Sequence, residues 1–297
     1  MVFLKEQDMH NEELISNLVT LSRNIGSNLA YIQGGGGNTS VKIDDKVMAI
    51  KASGHVLKQM QNNSGYCLVA YQEIVNNLQS NTEELHLSKQ TKQYVLPSSP
   101  HKTPSIETSF HAILNKYVIH SHSVYANLLN CSAEGPDIIK KLFPHALWIP
   151  YYNVGFKLAQ EILNRCKSSK TPPNVIFLQN HGLIISNEQH NAALLEHTAV
   201  NKKIRNFFGI TGPYQCNDKA TGAKQILFPD QVVYCDSRNP ALLQSRAAHE
   251  TLCAASNIIK LINSYPTDTK VFSQTRYCCN IRDAGGRTSS KDNFKCK

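Results

Sequence analysis

Two histidines separated by one residue, His120 and His122, are the first feature of this 297-residue chain that indicates chemistry. They lie in YVIHSH, a run typical of a β-strand, so both rings leave the same face of a sheet. Their nitrogens can then bind one zinc ion at about 2.0–2.1 Å. Because the chain has 12 histidines, roughly 0.5 such pairs are expected by chance. The pair alone therefore fits two ordinary histidines at a strand end equally well.

Two further residues strengthen the metal hypothesis. Glu107 lies on a predicted helix directly before this strand, and His181 ends a strong strand pattern in NVIFLQNHGLIIS. Gly182 follows, and glycine permits a sharp exit and a close backbone approach. Three histidines and a carboxylate from different elements are a zinc donor set. A carboxylate that leaves the metal becomes a base beside a Lewis acid, so Glu107 is predicted to be both ligand and catalyst.

A glycine run, Gly34–Gly37, followed by Asn38-Thr39-Ser40, is the second candidate site. The run lacks the Gly-Lys-Ser/Thr of a P-loop, and Thr39 stands where GxGxxG requires its last glycine. Its backbone N–H groups can form a concave anion site, or the run can be a flexible loop between a helix and a hairpin. Ser105, at a predicted helix start, offers a hydroxyl and free N–H groups to a phosphate.

Helix and strand patterns alternate along the chain, which indicates an α/β fold, and the hairpins imply a mixed sheet. Asn11 is predicted to cap a first helix over 11–30. Strands are predicted at 39–43, 46–52, 66–71, 117–122, 146–152 and 174–186, with helices at 105–116, 123–131, 154–166 and 191–209. QVVYC at 231–235 is predicted to be a late strand, and 239–264 to be helical.

Five blocks in order, GGGGNTSVK, ASGHVL, PSIETSFHAIL, VIHSHS and LQNHGLIIS, resemble motifs of the class II aldolase/adducin family over about residues 10–210. The form GGGGNTS is most similar to members related to rhamnulose-phosphate aldolase and to the aldolase portions of aldolase–dehydrogenase fusions. The resemblance implies a three-layer α/β/α fold around a mixed, largely antiparallel sheet. It also implies a homotetramer with active sites between subunits.

The resemblance also implies roles for individual residues. His120, His122 and His181 match the zinc ligands, and Glu107 matches the catalytic glutamate that ligates zinc in the empty site. The positions that match the family's substrate-phosphate site are Asn38, Ser53, Gly54 and Ser105.

Other positions depart from the family pattern or have no assigned role. Ile106 replaces a phosphate-binding serine of the fuculose-phosphate aldolase pattern, and its side chain cannot donate to a phosphate. Tyr151 and Tyr152 are candidates for the tyrosine that donates a proton from a neighbouring subunit. His111, one helical turn after Glu107, is expected to support or pack rather than to react.

Composition sets the remaining expectations. We divide the chain into an aldolase-like domain at 1–235, a helical appendage at 236–283 and a disordered basic tail at 284–297. The net charge of +9 favours anionic small substrates, and we expect no nucleic-acid partner and no membrane association. Nine scattered cysteines without a CxxC pair favour reduced thiols, and the charged start lacks a signal peptide, so we expect a cytoplasmic protein.

The leading hypothesis is an enzyme, a class II aldolase with one Zn²⁺ per chain. It would cleave or form a carbon–carbon bond in a ketose or ketose phosphate through a metal-stabilised enediolate. A sugar-phosphate 4-epimerase or a dehydratase of the same superfamily is one alternative. The other is a non-catalytic, adducin-like interaction module, which would be marked by loss of the metal ligands.

Overall fold

A seven-stranded sheet forms the centre of the computed structural model, which describes residues 2–80, 91–167, 172–216, 226–235 and 239–265. The strand order is β3-β2-β1-β4-β7-β6-β5, and only β5 and β6 pair in parallel. The predicted mixed, largely antiparallel sheet is therefore confirmed. Its strands are β1 (Asn38–Lys42), β2 (Val47–Lys51), β3 (Tyr66–Ala70), β4 (Tyr117–Ser121), β5 (Leu147–Ile149), β6 (Val175–Leu178) and β7 (Gly182–Asn187).

Helices cover both faces of this sheet, and a 3₁₀ turn lies at Leu57–Gln59. None of the helices in the described ranges is long and apolar enough to cross a membrane. The described α-helices are α1 (Val2–Gly26), α2 (Tyr71–Gln79), α3 (Thr108–Ala112), α4 (Val124–Asn130), α5 (Gly135–Leu142), α6 (Phe156–Cys166), α7 (His190–Phe207), α8 (Pro229–Tyr234), α9 (Pro240–Leu243) and α10 (Arg246–Ser264).

Alternation along the strands creates two separate apolar cores. On β4, Ile119 packs on the face covered by α1, α4, α5 and α7, where Leu18 and Ile204 are fully buried. The neighbouring Val118 packs on the opposite face, against Phe110 of α3 and other residues of α2 and α6. Because successive side chains of a strand point to opposite faces, the sheet separates these two layers. The three-layer α/β/α fold expected from the sequence is thus confirmed.

Four predicted elements differ from the structure. The helix predicted at 105–116 covers only α3, so Ser105 does not lie at a helix start, and its N–H donates to the carbonyl oxygen of Lys51. Helix α1 begins at Val2, so Asn11 lies inside it rather than at its cap. The stretch predicted as one strand over 174–186 is a hairpin, because the chain turns at Asn180, which has a φ of 51°. QVVYC is not a strand: Pro229 occupies the first turn of α8, where a missing N–H costs nothing.

The last described helix packs on the sheet domain through a third apolar cluster. Val124 and Leu128 of α4 contact a group that includes Phe228 before α8 and Ile258 of α10. The domain boundary at residue 235 stays a prediction, and the predicted tail at 284–297 lies outside the described residues. Cys216 and Cys253 form a disulfide, contrary to the expectation that all thiols are reduced.

We predict that Gly182→Ala destabilises the fold. A Cβ at Gly182 would collide with the carbonyl oxygen of Ser121 and lie 3.0 Å from Cε1 of His120. Gly182 has no positive φ, so the cost arises from space alone. Urea denaturation is expected to show a loss of about 1–3 kcal/mol in the free energy of unfolding. Gly212→Ala, which meets no heavy atom within 4 Å, is the control, and equal midpoints for the two variants would contradict this account.

Candidate metal centre

The end of β4 brings the four predicted ligands together. His120 lies on β4 opposite Asn38 of β1 and Ile184 of β7, and His122 follows one residue beyond the strand end. His181 occupies the tight turn between β6 and β7, the strand that pairs with β4. Glu107 directly precedes α3, and all four ligand side chains are buried.

The ligand atoms of these residues face one another at short range. Nε2 of His120 lies 3.1 Å from Nε2 of His122 and 3.2 Å from Nε2 of His181. Oε1 of Glu107 lies 2.9 Å from Nε2 of His181 and 3.5 Å from Nε2 of His120. Atoms bound at about 2.0–2.1 Å to a tetrahedral zinc ion lie about 3.3–3.4 Å apart, so the spacing suits such an ion.

Hydrogen bonding supports a metal at this position. Oε1 of Glu107 is buried and accepts no hydrogen bond, although buried carboxylate oxygens are normally satisfied. The group Glu107, His120, His122 and His181 is therefore able to bind a metal ion. A second group, Cys216, His249 and Cys253, has its two cysteines joined in the disulfide.

The hydrogen-bond partners of Nδ1 set the tautomers of His120 and His122. Nδ1 of His120 donates to the carbonyl oxygen of Leu183 at 3.2 Å. Nδ1 of His122 donates to Oδ2 of Asp230 at 2.6 Å. Each bond places a proton on Nδ1 and leaves the Nε2 lone pair free for a metal.

A chain of polar contacts holds Glu107. Nδ2 of Asn38 donates to Oε2 of Glu107 at 2.6 Å and to Oγ of Ser105 at 3.1 Å. Oδ1 of Asn38 accepts a hydrogen bond from Nε2 of His111, whose Nδ1 accepts from Oγ of Ser40 at 2.7 Å. Burial lowers the pKa of His111 to about 3, so the ring is neutral. His111 thus orients Asn38, and Asn38 orients the carboxylate.

The protonation states of Glu107 and His181 suit metal binding. Burial alone would raise the pKa of Glu107, but the rings of His120 and His181 outweigh it and hold that pKa well below its usual range. Burial lowers the pKa of His181 to about 4, against the opposing effect of Glu107. At neutral pH these groups are an ionised carboxylate and a neutral imidazole, the forms that ligate metals. At His122, by contrast, burial would lower the pKa, but the carboxylate of Asp230 outweighs it and raises that pKa.

A pocket of about 550 Å³ opens beside the ligands. Its lining includes all four residues matched to the phosphate site, together with Ile106. Ser53 and Gly54 are exposed there, whereas Ser105 is buried and Asn38 gives its amide hydrogens to Ser105 and Glu107. That these residues hold a phosphate stays a prediction.

The two tyrosines predicted as proton donors, Tyr151 and Tyr152, do not line this pocket within one chain. Tyr234 of α8 does line it.

Sequence reasoning missed a buried lysine in the same pocket, Lys51, whose Nζ donates to the carbonyl oxygen of Gly35 at 3.0 Å. Burial lowers the pKa of Lys51 to about 8, opposed by Glu107 and Asp230. A lysine within the apolar run AIKA was the available signal.

The glycine run binds groups of its own chain. The Gly34 N–H donates to Oε2 of Glu250 at 2.9 Å, and the Gly35 N–H donates to the Tyr234 hydroxyl at 3.0 Å. The Gly36 N–H donates to the carbonyl oxygen of Gln33 at 3.0 Å. The carboxylate of Glu250 is thus an anion that this run binds.

Sequence comparison finds three relatives. The uncharacterized oxidoreductase YuxG of Bacillus subtilis is 31% identical over 57% of this chain, and the match spans only 26% of that protein's length. The 3-oxo-tetronate 4-phosphate decarboxylase of Haemophilus influenzae is 26% identical over 57% of this chain and 77% of its own. The L-fuculose phosphate aldolase of Methanocaldococcus jannaschii is 27% identical over 52% of this chain and 74% of its own.

Structure comparison and the family match both identify a class II aldolase domain. The N-terminal class II aldolase domain of a conserved protein from Thermoplasma acidophilum superposes with a TM-score of 0.58 at 28% identity, covering 65% of this chain and 92% of that one. The family described as Class II Aldolase and Adducin N-terminal domain matches residues 16–205, which include all four ligands. The chain therefore belongs to the class II aldolase/adducin family.

Proposed function

We propose that this protein is a zinc-dependent aldolase that cleaves or forms a carbon–carbon bond in a ketose or ketose phosphate. One observation carries the proposal: a buried carboxylate oxygen of Glu107, without a hydrogen bond, faces imidazole nitrogens at the edge of an open pocket. Membership of a family of aldolases and related enzymes supports it. The intact ligand set disfavours the adducin-like module, which would be marked by its loss.

The residues of the site would have different roles in this reaction. His120, His122 and His181 would hold one zinc ion per chain together with Glu107. When bound, zinc supplies a Lewis acid that stabilises negative charge developing on the substrate. Displaced from the metal, Glu107 would move a proton at Oε1, while Asn38 holds its other oxygen, Oε2.

The substrate's anionic group would lie at the polar part of the pocket. Ser53, Gly54, Ser105 and Asn38 are the proposed contacts, and Lys51 adds a buried positive charge. The homotetramer implied by the family resemblance is part of the proposal, and light scattering would test it.

A decarboxylase is a second candidate, because the pocket contains a buried cation that suits a carboxylate. Lys51 lines the pocket and is 3% exposed. Loss of CO₂ leaves negative charge on carbon, as carbon–carbon cleavage by an aldolase does, so the same ligands would serve. A relative named as a 3-oxo-tetronate 4-phosphate decarboxylase fits this alternative.

We predict about one zinc per chain by plasma mass spectrometry, on protein purified under reducing conditions without chelators or a histidine tag. His122→Ala should lose this metal because it removes one ligand of a tetrahedral set. His10→Ala, at an exposed position, is the control that should keep it. His249→Gln should also keep the metal, which would show that the group of Cys216, His249 and Cys253 does not supply it. Wild-type protein without metal after zinc is supplied would refute the proposal.

We predict that Glu107→Gln keeps the metal and loses turnover by about 10²-fold or more, because an amide cannot accept and return a proton. The assay is a panel of ketoses, ketose phosphates and 3-oxo-acid phosphates, scored for aldehyde release, epimer formation and CO₂ release. Aldehyde release identifies an aldolase, and the other two products identify an epimerase or a decarboxylase. Glu12→Gln, on the exposed side of α1, is the control. A near-normal rate for Glu107→Gln would remove Glu107 from the mechanism.

We predict that Ile106→Ser tightens binding of phosphorylated ketoses. The side chain of Ile106 lines the pocket beside Ser105, and a serine there would add a donor to the phosphate. One such hydrogen bond contributes about 1 kcal/mol, or about fivefold in KM. The internal control is the unphosphorylated ketose, whose KM should not change. Equal effects on both substrates would place the phosphate elsewhere.

A further inference from the structure

A carboxylate from outside the family match contacts a metal ligand. Asp230 lies on α8, beyond the matched residues 16–205, and its Oδ2 accepts a hydrogen bond from Nδ1 of His122 at 2.6 Å. Asp230 is 3% exposed and His122 is 4% exposed. The two residues are 108 positions apart in the chain, so only the tertiary fold brings them together.

His122 needs such a partner more than His120 does. His120 lies within β4, where paired strands on both sides fix its backbone, and its Nδ1 donates to a carbonyl of β7. His122 lies beyond the end of β4, and no strand pairing fixes its position. Its ring is therefore oriented by what its Nδ1 contacts. A carboxylate on that nitrogen fixes the tautomer and makes Nε2 a stronger donor.

The residues around Asp230 hold it in place. We name residues 226–235 and 239–265 the C-terminal segment. Phe228 of this segment is fully buried in the cluster with α4 and α10, and its ring centre lies 6.3 Å from that of His122. The Leu227 N–H donates to Oε1 of Gln231 at 2.7 Å, which fixes the start of α8. Asp230 thus stands on a packed helix rather than on a loop.

The glycine run is shaped to the same segment. A Cβ on Gly36 would collide with the carboxylate of Asp230, and a Cβ on Gly35 would lie 2.6 Å from the hydroxyl of Tyr234. A Cβ on Gly34 would lie 2.7 Å from Cβ of Ala247. Three successive glycines therefore leave the space that the C-terminal segment fills.

We propose that Asp230 is a positioning residue for the metal centre: it holds His122 in the tautomer and orientation that direct Nε2 at the other ligands. This proposal rests on the proposed function in one respect: it assumes that these residues bind a divalent metal. It assigns the C-terminal segment to the site, although the matched family domain ends before it.

The test measures zinc affinity of apo protein by competition with a chromophoric chelator. In Asp230→Ala, the Kd for zinc is expected to rise about 10–100-fold, the usual effect of removing such a partner from a metal-binding histidine. Asp230→Asn should recover part of this loss, because its amide oxygen still accepts the Nδ1 proton. The visible spectrum of the Co²⁺ form is expected to change in Asp230→Ala and to resemble wild type in Asp230→Asn.

Three further variants keep the test decisive. Gly36→Ala should also weaken zinc binding, since it displaces the carboxylate without removing it. Asp137→Ala, at an exposed position on α5, is the control. If Asp230→Ala does not fold, Asp230→Leu, which keeps the branching of the side chain and removes the acceptor, takes its place. Folded variants that bind zinc within twofold of wild type would overturn the proposal, whereas wild-type protein that binds no zinc would overturn the proposed function as well.

Discussion

Burial of an ionised carboxylate among three imidazoles is the constraint on which the rest of the site depends. Glu107 is 6% exposed and one of its oxygens accepts no hydrogen bond, an arrangement that costs several kcal/mol without a compensating charge. The surrounding contacts keep it in place: Asn38 binds the other oxygen, and His111 fixes Asn38. A divalent cation would remove the remaining cost, so metal binding would also stabilise the fold.

The sequence predicted the four residues that the fold brings together because each has a local signal. His120 and His122 follow the period of a strand, and His181 and Glu107 lie where a strand ends and a helix begins. Asp230 has no such signal, because its partner lies 108 residues away. The short run QVVYC fits a strand or a helix equally well by pattern, and the structure makes most of it the continuation of a helix that starts at Pro229.

The glycine run shows that a sequence pattern can predict the ability to bind an anion without predicting which group is bound. Consecutive N–H groups without side chains suit any anion that approaches closely. In this fold the carboxylate of Glu250 and the hydroxyl of Tyr234 bind two of them, and Asp230 approaches a third glycine, Gly36. The run therefore binds one carboxylate of its own chain, and this partner, Glu250, lies 216 positions after Gly34 and has no local signal in the sequence.

The candidate metal site and the pocket beside it are formed by different parts of the chain. All four residues of the candidate metal centre lie within residues 16–205, the part of the chain that the family match covers. One wall of the pocket, formed by Val232, Val233 and Tyr234, lies outside that match. A shared donor set implies shared reactivity at the metal, whereas selectivity among sugars depends on the surface that the substrate touches. Both the C-terminal segment and residues of the matched domain, among them Ile106, line this pocket, so the choice of substrate would depend on both parts of the chain.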